Sequence, residues 1–303
     1  MDRLVLELPL GSYLERTAQT LVLRRPDGSV VGTLSEGENG RDQRTGQPRL
    51  RVRFFGSFEL SRDGEPVRLG HNGRALAILK YLLANRSRPV SQDYLMDWLW
   101  PESNLKHARW SLNSAIYALR RTLGGCLGSP RDTVPFENGR YRLSSRLRIS
   151  TDADEFDARF KRGRSLQKVG RAPDAEYERA VALYRDDYLV EDLYEEWTEI
   201  ERGRLMDAYT EMLGSLAIHH MERGEYRESV DLCYRILEKD LCCERTHRLL
   251  MESFARLGQR GRALRQYGMC ERSLARQWGA EPSPETRATY SKVLEERAVK
   301  EWR

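Results

Sequence analysis

Residues 101–143 place a basic amphipathic helix just before a tight hairpin, and few folds accommodate that pair. Over 106–123 the apolar residues Ala108, Leu112, Ala115, Ile116, Leu119 and Leu123 fall on one helical face. The other face carries Arg109, Trp110, Asn113, Tyr117, Arg120 and Arg121, with almost no negative charge. Such side chains hydrogen-bond base edges and phosphates. Downstream, Asn138-Gly139 is the preferred pair for a two-residue type I′ turn. That register sets Phe136 opposite Tyr141 and Val134 opposite Leu143 on one side of the ribbon. Arg140 and Arg142 then project from the other side.

The residues upstream supply the rest of a small domain. Residues 51–60 alternate as a strand, Asp63-Gly64 is a turn, and 65–69 return as a second strand. Asn72 caps a helix whose inner face holds Leu76, Leu79, Leu82 and Leu83. Ser91 caps a second helix over 92–100, which Pro101 ends. Trp98 and Trp100 belong to the core at that corner. A loop through Gly124-Gly125 and Gly128 joins the basic helix to the hairpin. Strands, three helices and a terminal hairpin are the order of helix-turn-helix readers.

Charge follows the same division. Residues 49–150 hold 18 Lys/Arg against 8 Asp/Glu, whereas 1–48 hold 6 against 7 and 151–303 hold 27 against 31. The overall +5 therefore conceals a local +10 around the helix and hairpin. A local excess of that kind is the footprint of a polyanionic partner.

Residues 1–34 contain two apolar patches and a turn at Pro26-Asp27-Gly28, which predict a small strand pair of no assigned role. Residues 35–49 lack apolar periodicity and read as a flexible linker. From Asp152 the pattern is helical to the end. Gly224 and Gly258 lie 34 residues apart, the tetratricopeptide period. They mark two equivalent helix corners, with Ser229 and Ala263 as the small residues between paired helices. Gly170 with Ala175 is an earlier, degenerate corner. Tyr184, Tyr188, Tyr226, Phe254 and Tyr267 are read as core. The expected fold is mainly α: a winged helix-turn-helix (α+β) domain over 50–148, then an all-α tetratricopeptide-like helical-repeat domain over 152–303. The chain has room for a separate core in each. Stacked repeats leave a concave surface open.

Several functions find no support in the residues. No apolar run approaches the roughly 20 residues needed to span a bilayer, and no signal peptide is visible at the start. The five cysteines, Cys126, Cys233, Cys242, Cys243 and Cys270, form no CxxC pair, which argues against disulfides and structural zinc and for a reducing cytoplasm. His219 and His220 project about 100° apart on a helix and cannot readily grip one ion. No HExxH, GxSxG or GxxxxGK[ST] is present. No catalytic residue, cofactor or metal is expected.

Residues 50–143 resemble the OmpR-type winged-helix domain, through Val90-Ser91-Gln92-Asp93-Tyr94-Leu95, Leu99-Trp100-Pro101, Leu119-Arg120-Arg121-Thr122-Leu123-Gly124 and Asn138-Gly139-Arg140-Tyr141-Arg142-Leu143. Residues 152–295 resemble the bacterial transcriptional activation domain beside it in SARP-type regulators. Glu244-Arg245-Thr246-His247-Arg248-Leu249-Leu250-Met251, the stretch 258–267 and Trp278-Gly279-Ala280-Glu281-Pro282-Ser283-Pro284-Glu285-Thr286 are among the residues that carry it. The resemblance implies a DNA-binding activator without an enzymatic step, which binds promoter DNA, often at direct repeats, and contacts RNA polymerase or itself. In the family the third helix enters the major groove and the wing touches the adjacent minor groove or backbone. Asn113 and Arg109 are then candidates for base edges, with Tyr117 at a base or phosphate, Ser114 on the same face, and Trp110 either there or packed against the preceding helix. Lys106, His107, Arg120 and Arg121 are candidate phosphate contacts, and Arg140 and Arg142 the wing contacts. Trp110 and Tyr117 stand where many relatives carry shorter or basic residues, so base preference does not transfer. Residues 1–49 lie outside the pattern. The competing reading is a non-catalytic scaffold whose repeats and winged helix both bind proteins; the +10 balance argues against it.

Overall fold

The structure is a computed structural model that describes residues 5–7, 13–17, 20–24, 30–35, 49–68, 70, 73–124 and 129–300. It divides into a small unit, Met1–Gln47, and a large one, Pro48–Arg303. Among its described residues the small unit holds four strands rather than the expected pair: β1 (Val5–Glu7), β2 (Tyr13–Thr17), β3 (Thr20–Arg24) and β4 (Val30–Ser35). They form an antiparallel meander in sequence order. The expected turn at residues 26–28 and nearly all of the expected linker lie outside the described residues.

The large unit opens with β5 (Arg49–Arg53), β6 (Glu59–Arg62) and β7 (Glu65–Pro66). The single strand expected over 51–60 is two strands. Strict alternation fails because Phe54, Phe55 and Phe58 are all buried, and the chain turns at Gly56, φ +82°. The helices α1 (Gly73–Ala84), α2 (Gln92–Leu99) and α3 (Leu105–Leu123) follow, with β8 (Val90–Ser91) between the first two. The Ser91 hydroxyl accepts from the Asp93 and Tyr94 N–H groups and caps α2, as its sequence position predicts. Asn72, the expected cap of α1, lies outside the described residues. A short α4 (Pro130–Thr133) leads to β9 (Phe136–Glu137) and β10 (Arg140–Tyr141). Strand β10 also pairs with β8, so the wing is a three-stranded sheet anchored to the start of α2.

Strand β11 (Arg148–Thr151) runs parallel to β5, with Arg148 opposite Arg49 and Thr151 opposite Val52. The chain thus leaves the winged domain beside the strand by which it entered. Thr151 is also the N-cap of α5 (Asp152–Lys168), its hydroxyl accepting from the Asp154 N–H at 2.9 Å. Next come α6 (Asp174–Leu183), a 3-10 turn (Val190–Asp192), α7 (Glu196–Glu222), α8 (Tyr226–Leu237), α9 (Glu244–Arg256), α10 (Arg260–Trp278) and α11 (Pro284–Lys300). They pack as three helical hairpins, α5–α6, α7–α8 and α9–α10, with α11 against the last.

The three corners are one motif. After α5, α7 and α9 the glycines Gly170, Gly224 and Gly258 adopt φ between +69° and +78°. In each the glycine N–H and the next N–H reach back to carbonyls three and five residues earlier, the Schellman pattern that ends a helix. Ser229 and Ala263 are fully buried, as expected for the close helix contact, but Ala175 is exposed. At the first corner the close approach occurs at Gly163. A Cβ there would lie 2.1 Å from the buried Tyr177 ring. Tyr184, Tyr188 and Phe254 are core as read from sequence; Tyr226 and Tyr267 are half-buried, the latter stacked on Tyr290 at 4.2 Å. His219 and His220 are held apart by different acids, Asp174 at 2.5 Å and Glu225 at 2.6 Å. Among the described residues no cluster of His, Cys, Asp and Glu is suited to a metal, and no helix is long and apolar enough to cross a membrane.

The winged part and the first repeat helices share a core, whereas a second cluster from Ala217 and Val230 to Phe254 and Val293 belongs to the later helices alone. One continuous apolar cluster runs from Leu50 through Leu112 and Tyr141 to Phe156, Tyr188 and Leu216. Polar contacts reinforce the seam. The Asp152 carboxylate accepts from the N–H groups of Phe54 at 2.8 Å and Phe55 at 3.1 Å. Burial holds that carboxyl above the usual carboxylate range, against the pull of the N–H groups it binds. Lys80, only 3% exposed, reaches Asp192 at 2.6 Å. The Trp98 indole N–H donates to Glu195 at 2.9 Å while its ring packs near Tyr81 and Trp197. Trp98 is thus a seam residue, and Trp100 is core, with Arg74 held 4.8 Å above its ring.

Candidate nucleic-acid interface

The candidate surface is built on α3. Its buried residues are the six read from the sequence: Ala108, Leu112, Ala115, Ile116, Leu119 and Leu123. Asn104 caps it, accepting from the His107 N–H at 2.9 Å, so the helix begins immediately after the corner with α2. Its 19 residues include no Asp or Glu.

Helical geometry sorts the remaining side chains. Lys106, Trp110, Asn113, Tyr117 and Arg121 form a ridge directly opposite the buried face, with His107 and Ser114 on one shoulder. All seven are exposed. Trp110 is 67% and Tyr117 65% exposed, so Trp110 does not pack against the preceding helix. The His107 ring lies alongside it, centroids 6.2 Å apart and planes 27° from parallel. Arg109 is exposed on the flank. Among the described residues Lys106, Arg109 and Arg121 have no carboxylate partner.

Arg120 departs from its expected place as a free phosphate contact. It sits at the edge of the buried face, and its guanidinium donates twice to the Val134 carbonyl, at 3.1 Å and 2.6 Å. Burial pulls its pKa below the usual arginine value. Its evident job is to tie α3 to the strand leading into the wing. The surface gains Arg131 instead, exposed on α4 beside the C-terminal end of α3. No motif singles out Arg131 in the sequence; only the fold brings it to this surface.

The wing has the register read from Asn138-Gly139. Both turn residues have positive φ, +51° and +75°, as a type I′ turn demands. Arg140 pairs with Glu137 and Tyr141 with Phe136. The bonds from Arg142 N–H to Pro135 and from Ser144 N–H to Thr133 continue that register, which sets Val134 against Leu143. Tyr141, Val134 and Leu143 are buried, whereas Phe136 is 44% exposed and covers the Tyr141 ring at 4.5 Å. Arg140 is exposed and, among the described residues, unpaired. Arg142 is half-buried, lies 3.4 Å from Glu137, and lines a cleft of about 350 Å³ with Arg86, Ser144 and Ser145. The structure therefore presents one cationic, acid-free helix crest with an arginine-tipped hairpin on the same domain.

Comparison with known proteins agrees with this architecture. Residues 64–135 match the family described as "Transcriptional regulatory protein, C terminal". Residues 151–294 match the "Bacterial transcriptional activator domain". The transcriptional regulatory protein MoaR1 of Mycobacterium tuberculosis is 26% identical over 258 residues, covering 81% of this chain and 79% of MoaR1. EmbR of the same organism is 37% identical over 100 residues, or 33% of this chain and 26% of EmbR. The chain thus spans about a quarter of EmbR in that match. The structure of Mycobacterium tuberculosis EmbR in complex with a low-affinity phosphopeptide superposes with a TM-score of 0.67 at 25% identity, over 82% of this chain and 66% of that one. An OmpR-type winged helix followed by a bacterial transcriptional activator domain makes this chain a member of the SARP-type family of transcriptional regulators.

Proposed function

We propose that this protein binds duplex DNA with sequence preference and activates transcription from the promoters it occupies. The observation that carries this reading is the α3 crest: exposed, cationic, without a carboxylate, and accompanied by Arg140 on the wing. Asn113 and Arg109 address base edges in the major groove, and Lys106, His107, Ser114 and Arg121 meet phosphates and flanking atoms. Arg140 reaches the minor groove or backbone beside it, with Arg142 behind. The helical repeats then engage RNA polymerase or a second copy on a direct repeat. No chemical step, cofactor or metal enters this reading, and its setting is the bacterial cytoplasm, on the nucleoid when bound.

Phosphate neutralisation sets the first test. Affinity for recovered genomic fragments should fall steeply with salt, each lost phosphate contact lowering the log–log slope by about 1. Lys106→Ala, Arg121→Ala and Arg140→Ala should each weaken binding to all sequences and flatten that slope. Asn113→Ala should instead relax preference at one base pair. A purified protein that retained no fragment at low salt would end this reading.

A further inference from the structure

The fold leaves two large aromatic rings on the α3 crest mostly exposed, with only His107 lying beside Trp110 among the described residues. Trp110 and Tyr117 are about two-thirds exposed, although indole and phenol rings are ordinarily shielded from water. They sit seven residues apart, two helical turns, which separates them by about 10.5 Å along the axis. Lys106 and Arg121 bracket them on the same ridge, and no acid stands on the helix. The surface therefore fits an anionic partner that also displays small apolar groups at spaced intervals. Duplex DNA provides that combination in the major groove, where the thymine C5 methyl is the apolar group on the base edges. An indole has one N–H donor and no acceptor, so it cannot make the two-bond contacts by which Arg reads guanine or Asn reads adenine. Its ring face is suited to a methyl group.

We infer that Trp110 and Tyr117 make this surface a reader of thymine methyl groups in duplex DNA, about three base-pair steps apart. The inference rests on the DNA-binding reading and gives it a base preference. In this arrangement Asn113, between the rings on the ridge, supplies the polar contact that sets the register of the methyl contacts.

The test begins with selection of bound duplexes from a synthetic random pool, which contains no 5-methylcytosine. The enriched site is then remade with deoxyuridine in place of each thymine in turn, which removes the methyl and preserves pairing. Binding should weaken about fourfold per contacted methyl, at two positions about three steps apart. Trp110→Ala should abolish the response to uracil at one of them and Tyr117→Ala at the other, with the salt slope unchanged. A parallel selection from a CpG-methylated pool separates the two sources of a C5 methyl; enrichment of methylated cytosine at these positions in place of thymine would overturn the assignment to thymine. Wild-type protein indifferent to uracil at every position would overturn the inference while leaving DNA binding intact, and that measurement needs no variant to fold. Failure to enrich any duplex would remove the DNA-binding reading and this inference with it.

Discussion

Asp192→Ala is expected to destabilise the protein by about 3 kcal/mol, although Asp192 lies far from the candidate DNA surface in sequence. The cause is Lys80. Its ammonium is almost fully buried between α1 and the 3-10 turn, 2.6 Å from Asp192 and 3.6 Å from the more exposed Glu191. Removing one member of a buried pair leaves the other charge uncompensated, which typically costs 3–5 kcal/mol. Glu191 places the expected loss at the lower end. Lys80→Met should cost far less, within about 1 kcal/mol, because a flexible apolar chain fills the same space. The two substitutions remove the same ion pair, so their difference isolates the stranded charge. Urea unfolding is the measurement: the midpoint should fall for Asp192→Ala with the slope unchanged. Equal effects of the two substitutions would show that Lys80 is solvated in solution.

Asp152→Ala is expected to cost about 3 kcal/mol as well, by a different route. Phe54 and Phe55 are both buried, and their N–H groups would lose their acceptor. Each unsatisfied buried donor costs about 1–3 kcal/mol. Asp152→Asn keeps one acceptor oxygen and should lose roughly half as much. Amide exchange distinguishes this from a general loss of stability. The Phe54 and Phe55 amides should exchange faster in the alanine variant even under strongly native conditions. Unchanged protection at those two amides would sink the assignment.

The reading of α3 and the wing from sequence succeeded where local rules decide. A helical period needs only the spacing of Ala108, Leu112, Ala115, Ile116, Leu119 and Leu123, and a type I′ turn needs only Asn138-Gly139. The corners at Gly170, Gly224 and Gly258 were legible for the same reason, since a Schellman cap demands a residue tolerant of positive φ. The misreadings share a cause in tertiary contact. Arg120 looks like its neighbour Arg121 in sequence; only the approach of Val134 half-buries it and engages its guanidinium. The expected strand over 51–60 breaks because Phe54 and Phe55 bury against Tyr188 and Phe156, each more than a hundred residues away, while Phe58 packs under Lys80 of α1. The shared core was equally invisible, because Lys80, Trp98 and Asp152 have partners on the far side of the expected boundary. Trp98 looks like an ordinary corner residue in sequence for that reason.

Thr151 is at once the last residue of β11 and the cap of α5, so no spare residue separates the two parts of the large unit. Chain length between the wing and the repeats is therefore a gauge. Surface loops absorb insertions at small entropic cost, but one residue added between Arg148 and Asp152 would turn Ile149 and Thr151 to the opposite face of the sheet. It would also carry the Asp152 carboxylate away from Phe54. Substitutions in this stretch have room to vary, whereas insertions and deletions do not: a winged head could be exchanged between relatives only together with the strand that measures its distance to the repeats.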